Sequence, residues 1–186
     1  LLGKYLAEIG VEFEYYIPDR ITEGYGPNLK AFEYLKKQKC DLIVTLDCGT
    51  TSINEINEKK KNKIDVIVVD HHKQGEVLPN AYAIVNPNKD NDKSNLGNLC
   101  AAGVVFFLLV SINRELKKRK VNFLLPNLMH YIDLVALGTV CDVVKLDEMN
   151  RALVSQGLKI MNKSLNVGLL SIINESMIKD EISSYS

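Results

Sequence analysis

Ile64-Asp65-Val66-Ile67-Val68-Val69-Asp70-His71-His72 is the stretch from which the fold of this chain is read. Its first six residues are β-branched and nearly all apolar, which indicates a strand buried on both faces of a parallel sheet. A carboxylate and two imidazoles follow, and such groups are costly to bury without partners. In open α/β sheets, ligands bind in the crevice beyond the carboxyl ends of the strands. Three metal-capable or acid–base side chains at that junction point to a metal site.

A second strand ends in the same way. Asp41-Leu42-Ile43-Val44-Thr45-Leu46 runs into Asp47-Cys48-Gly49. The segment between the strands, 50–63, opens with small hydroxyl residues suited to capping a helix. It closes with lysines that suit the helix C-terminal dipole. Strand, helix and strand make one βαβ unit, with a right-handed crossover expected. As neighbours, the strands lie roughly 4.8 Å apart, and Asp47 and His71 reach one crevice. With another strand between them, the crevice is still shareable.

Working outward, the chain opens in an amphipathic helix. Residues 11–17 alternate as a strand that Pro18 stops, and 18–28 form a turn-rich loop before a helix over 29–39. A short strand over 81–85 ends at Asn86-Pro87-Asn88, and 88–98 form a polar surface loop. A helix spans 99–118. Pro126 suits the first turn of another, running to about 137. The run Gly138-Thr139-Val140-Cys141-Asp142-Val143-Val144 then turns toward a third potential ligand, Asp142. Helices over 150–161 and 167–174 follow, with a frayed end over 179–186. The fold class expected is α/β, a mainly parallel sheet flanked by helices, with residues 163–186 a helical segment continuing the core.

At 186 residues, 46% of them hydrophobic and 25% charged, the chain is long enough for one α/β domain with a real core. A net charge of +0 and a pI near 7.0 neither predict nor exclude a nucleic-acid partner. Lysines cluster at Lys36, Lys37 and Lys39, at 59–61 with Lys63, and at 117–120. They read as helix C-termini and solvated faces, the alternative being a patch for phosphate backbone. Cys40, Cys48, Cys100 and Cys141 show no C-x-x-C pair or zinc-ribbon spacing, and no secretory leader is visible. Free thiols in a reducing cytoplasm are expected. The apolar stretch 99–112 is shorter than the ~20 residues of a membrane span and reads as a buried helix. Leu1 lies inside a helix with neither Met nor cap, so a piece of a longer protein is expected.

Asp47, His71 and Asp142 offer two carboxylates and one imidazole. Mixed oxygen and nitrogen donors suit Mn²⁺, Mg²⁺ or Fe²⁺ better than a structural zinc, which favours thiolates. Two such ions ~3.5–4 Å apart clamp a phosphate and activate water. His72 is placed to contact the phosphate or move a proton, and Asp70 to hold an imidazole in one tautomer. Asp47 or Asp142 taken alone is more often a turn residue or helix cap. His130, within an apolar helix, reads as a structural histidine, and Cys48 and Cys141 read as small fillers.

The ordered set Asp47-Cys48-Gly49, Asp70-His71-His72 and Gly138-Thr139-Val140-Cys141-Asp142-Val143-Val144 resembles the DHH phosphoesterase superfamily. Within it, the set is most similar to the RecJ family of single-strand-specific DNA exonucleases. Ile17-Pro18-Asp19-Arg20, Glu23-Gly24-Tyr25-Gly26, Ile84-Val85-Asn86-Pro87-Asn88, Leu99-Cys100-Ala101-Ala102-Gly103-Val104, Asp133-Leu134-Val135-Ala136-Leu137-Gly138 and Asn150-Arg151 extend the resemblance over residues 1–162, taken as a partial DHH domain. The resemblance implies that Asp47 bridges two Mn²⁺ or Mg²⁺ ions, that His71 and Asp142 are ligands, and that His72 faces the scissile phosphate. Arg20 becomes a phosphate contact, or alternatively part of a structural salt bridge. Implied too are 5′ to 3′ digestion of single-stranded DNA in recombination and repair, in the cytoplasm, with repair or recombination proteins as partners and no membrane. The family's first Asp-x-Asp-x-Asp-Gly motif is expected before Leu1, so the isolated chain is expected to be inactive. Two alternatives remain open: a DHH enzyme acting on short oligonucleotides, cyclic dinucleotides or pyrophosphate, and a noncatalytic RecJ-like scaffold.

Overall fold

The computed structural model describes residues 1–57, 64–163, 166–176 and 182–183. Three strands form one parallel sheet in the order β1 (Leu42–Leu46), β2 (Asp65–Val69), β3 (Ala83–Val85). Its register pairs Leu46 with Val69 and Val69 with Val85. The β-branched run is a strand, as read, and β1 is its immediate neighbour. Alternate side chains leave opposite faces of a strand. Ile43, Val66 and Val68 therefore join Phe32, Ile56 and Ile64 in a core on one face. Val69, with Val44, Ile67 and Val85 against it, joins the larger core on the other face, built on Leu99, Val104, Leu109, Ile132 and Val135.

The helices are α1 (Leu2–Glu8), α2 (Leu29–Lys37), α3 (Ile53–Asn57), α4 (Ala101–Lys118), α5 (Ile132–Cys141), α6 (Glu148–Met161) and α7 (Val167–Glu175). Asn28, Asp147 and Asn166 cap α2, α6 and α7, each side chain accepting a backbone N–H of the first turn. Lys36 and Lys37 end α2, and Lys117 and Lys118 end α4, as the dipole favours. The lysines of 59–63 and most of 179–186 lie outside the described residues. No helix among the described residues is long and apolar enough to cross a membrane.

Four local expectations are corrected. Residues 11–17 form no strand, because their alternation is absorbed locally. Phe13 and Tyr15 meet edge-on, and the Tyr16 and Tyr34 hydroxyls donate to Glu23 and Glu14. Pro126 does not open a helix; Asn127 caps a 3-10 turn, Leu128–Tyr131, that leads into α5. His130 there is exposed, its ring beside the Asn127 amide. Gly138 does not end α5, which runs on to Cys141. A Cβ at Gly138 would sit 2.9 Å from the Ala102 Cβ, so the glycine serves close packing of α5 on α4. Cys141 is exposed rather than a filler.

α5 and α6 pack against each other, and Gly157 lies where they meet. A Cβ there would stand 2.5 Å from the Ile132 carbonyl oxygen, backbone that cannot swing away. Gly157→Ala should therefore destabilise by about 1–3 kcal/mol in urea titration, overpacking outweighing alanine's better helix propensity. Gly75→Ala, with open space around it, should change stability little.

Candidate metal centre

The strand register builds the site. One residue beyond the paired Leu46, Val69 and Val85 stand Asp47, Asp70 and Asn86, in a row across the carboxyl edge of the sheet. The ladder reaches into that row: Asp47 N–H donates to the Val69 carbonyl and Asp70 N–H to the Val85 carbonyl, both at 3.0 Å. Asp47 adopts a left-handed backbone, φ 61, which aspartate tolerates better than most residues. Gly49 follows at φ 110, where a Cβ would meet Thr45 Oγ1 at 2.6 Å, so the turn after β1 needs glycine.

Asp70 is 1% exposed and fully engaged. Its Oδ2 accepts from Thr50 N–H at 3.0 Å. Its Oδ1 accepts from the backbone of His71 at 2.8 Å and of His72 at 3.2 Å, and pairs with His72 Nδ1 at 2.7 Å. Burial alone would raise the carboxyl's pKa; the hydrogen bonds from Thr50 and His72 outweigh it and hold the group at about 2. Asn86 Nδ2 donates to Thr50 Oγ1 and the His72 carbonyl, both at 2.8 Å. Asn88 Nδ2 donates to the His71 carbonyl at 2.6 Å. Thr50 thus belongs to this network rather than to a helix cap.

His71 is the centre of the arrangement. Its Nδ1 lies 3.0 Å from the Leu99 carbonyl, an acceptor only, so Nδ1 carries a proton and Nε2 is the ring atom left to face the site. Nε2 is 3.1 Å from Asp47 Oδ1 and 3.4 Å from Asp142 Oδ2, yet buried without an aligned hydrogen bond. One ring nitrogen and two carboxylates converge there, a donor set suited to a divalent cation. Burial pushes the Asp47 carboxyl above its ordinary pKa; His71 and His72 pull it back, while Asp142 and Asp70 add to the rise. A cation between these groups would relieve that stress.

Asp142 caps the C-terminus of α5, 40% of its side chain open to solvent. Among the described residues, Asp47, His71 and His72 form a group of candidate donors whose ligand atoms all lie within 4.8 Å of one another. Asp142 joins through His71. The site residues read from the sequence are therefore brought together, and His72 stands close enough to the others to be a donor itself. Arg20 reaches the rim by stacking its guanidinium 4.9 Å over the Tyr25 ring, and among the described residues it makes no ion pair. The Tyr25 hydroxyl donates to the Asp47 carbonyl, and its ring meets His72 edge-on at 6.0 Å. Burial raises the Cys48 thiol to about 11. Sequence reasoning missed the parts played by Thr50, Tyr25, Asn86, Asn88 and the Leu99 carbonyl. Of these, Asn86 carried a signal, a small polar residue one step past a strand end.

The model of the DHH family, N-terminal domain, matches residues 1–139. The chain is 34% identical over 171 residues to the single-stranded-DNA-specific exonuclease RecJ of Bacillus subtilis (strain 168), covering 92% of this chain and 20% of that protein. Against RecJ of Escherichia coli (strain K12) it is 38% identical over 149 residues, 78% of this chain and 26% of that one. Among solved structures, exonuclease RecJ bound to manganese matches with a TM-score of 0.82 and 34% identity, over 96% of this chain and 43% of that one. RecJ in complex with Mn²⁺ from Thermus thermophilus matches with a TM-score of 0.75 and 31% identity, over 96% and 24%. Its complex with Mg²⁺ matches at 0.58 and 26%, over 96% and 20%. The chain spans about a fifth to a quarter of the length of these curated relatives.

Two aspartates one residue past neighbouring strands should respond oppositely to loss of charge. In metal-free protein, Asp70→Asn aims an amide NH₂ at backbone N–H donors and should cost about 1–3 kcal/mol in urea titration. Asp47→Asn keeps a residue that tolerates a left-handed backbone and removes a burdened charge. Its stability should stay within about 0.5 kcal/mol of wild type or rise. Similar losses in both variants would contradict this assignment of Asp70 to the scaffold and Asp47 to the site.

Proposed function

The chain belongs to the DHH family, and from that premise we propose that it is the metal-holding catalytic part of an exonuclease that hydrolyses single-stranded DNA from 5′ to 3′ in recombination and repair. The observation that carries the proposal is His71 Nε2, oriented by the Leu99 carbonyl to face the carboxylates of Asp47 and Asp142. Those three residues would hold Mn²⁺ or Mg²⁺, the ions named for the matching RecJ structures. When bound, such ions polarise the scissile phosphodiester and lower the pKa of water near neutrality.

The remaining residues bind, orient and move protons. Asp70 holds the Nδ1 proton of His72, so that Nε2 faces outward to meet the phosphate or carry a proton. Arg20, stacked on Tyr25, offers a guanidinium to a DNA phosphate at the rim. Thr50, Asn86 and Asn88 keep the two turns from drifting apart. Asp47, His71 and Asp142 together suffice for one ion, so a second ion draws on donors outside this set. The 186-residue chain alone is expected to bind Mn²⁺ without degrading DNA; robust Mn²⁺-dependent digestion by it would refute that division of labour.

Activity is testable by putting this chain in place of the matching segment of Bacillus subtilis RecJ and supplying 5′-labelled single-stranded DNA with Mn²⁺. Mononucleotide release is expected. Asp47→Asn or His71→Ala in the hybrid should lower kcat by at least about 100-fold, more than loss of an outer partner costs. A hybrid that cleaves dinucleotides but not long DNA would assign the short-substrate phosphoesterase. One that binds no Mn²⁺ would assign the noncatalytic scaffold.

A further inference from the structure

Asn150, in the first turn of α6, is 0% exposed and hydrogen-bonds to none of the candidate donors. Its Nδ2 donates twice, to the Asn98 carbonyl at 2.7 Å and to the Lys145 carbonyl at 2.8 Å. Those carbonyls lie on the two backbone stretches that deliver the site. Asn98 immediately precedes Leu99, whose carbonyl orients His71. Lys145 closes the turn that leaves Asp142. A ring of bonds completes the link: Asn98 Nδ2 donates to Asp147 Oδ2 at 3.0 Å, and Asn150 N–H donates to Asp147 Oδ1 at 3.0 Å.

Two further features stand beside this link. Val143, directly after Asp142, sits at φ 54, a left-handed conformation that strains a β-branched residue. Such strain persists only where the surrounding structure over-determines it. The Asn150 Oδ1 is buried without a partner, a cost a protein normally avoids. What the position requires is one atom with two hydrogens facing two carbonyls, which a carboxylate or a hydroxyl does not offer.

We infer that Asn150 is a positioning residue for the cation site, locking the Asp142-bearing turn to the turn that orients His71. The separation of the His71 imidazole and the Asp142 carboxylate is thereby set before any ion arrives. The inference rests on the cation-site reading proposed above. It predicts that Asn150 acts on metal affinity from outside the ligand set, as orienting partners of ligands do.

The test titrates the metal-free chain with Mn²⁺, following the free ion by electron paramagnetic resonance, for wild type, Asn150→Ala, Asn150→Asp and Asn98→Ala. Asn98 is exposed, so its variant keeps the fold if the buried changes do not. Phe32→Leu, in the core on the opposite sheet face, serves as a purely structural control. Asn150→Ala and the isosteric Asn150→Asp should raise the Kd about 10- to 100-fold, and Asn98→Ala by about 3-fold or more. The His71 ring ¹⁵N shifts of metal-free protein should move in all three and stay in place for Phe32→Leu. If wild type binds Mn²⁺ and the Asn variants that fold bind equally well, with unmoved shifts, the inference is overturned and the cation site stands. If wild type binds no Mn²⁺, the cation-site reading fails and takes the inference with it.

Discussion

The buried carboxylate of Asp70 is the constraint on which the rest depends. It sits one residue past the central strand and accepts from the turn after β1, through Thr50, and from the turn after β2, through both histidines. A carboxylate this deeply buried is stable only while those donors surround it, and the bonds hold its pKa at about 2 against the push of burial. Because it is occupied by scaffold, it is not available as a ligand. Asp47, in the same row but half exposed and strained by its backbone, is. One row of the sheet therefore supplies a structural carboxylate and a working one, separated by what their oxygens already touch.

The two histidines divide in a similar way. His71 has its Nδ1 on the Leu99 carbonyl and turns its Nε2 inward to Asp47 and Asp142. His72 has its Nδ1 on Asp70 and lies at the open rim beside Tyr25. Adjacent residues thus present the same ring atom to different surroundings, one suited to holding an ion and one to meeting a substrate.

The sheet was legible because its strands are short β-branched runs whose alternate residues fill two separate cores. Residues 11–17 show the limit of that signal: alternation marks two faces but cannot say whether a ladder partner exists. Gly138 shows another. A glycine after an apolar helical run signals a helix end, yet here the missing side chain admits Ala102 and the helix continues. Asp47, His71 and Asp142 were legible as metal-capable residues placed past strands or a helix. The Leu99 carbonyl that fixes the His71 tautomer left no trace, since every residue has a carbonyl. Thr50, Asn86 and Asn88 passed for ordinary cap and turn residues, because only the register reveals that they share one edge.

Anomalous scattering near the manganese edge, from crystals of the chain grown with Mn²⁺, tests the central claim most directly. The account predicts a peak bonded to His71 Nε2 and to the Asp47 and Asp142 carboxylates, with His71 Nδ1 still on Leu99 and Asp70 making no contact with the ion. A peak elsewhere, or none at saturating Mn²⁺ with a proton shared between His71 Nε2 and Asp47, would contradict it.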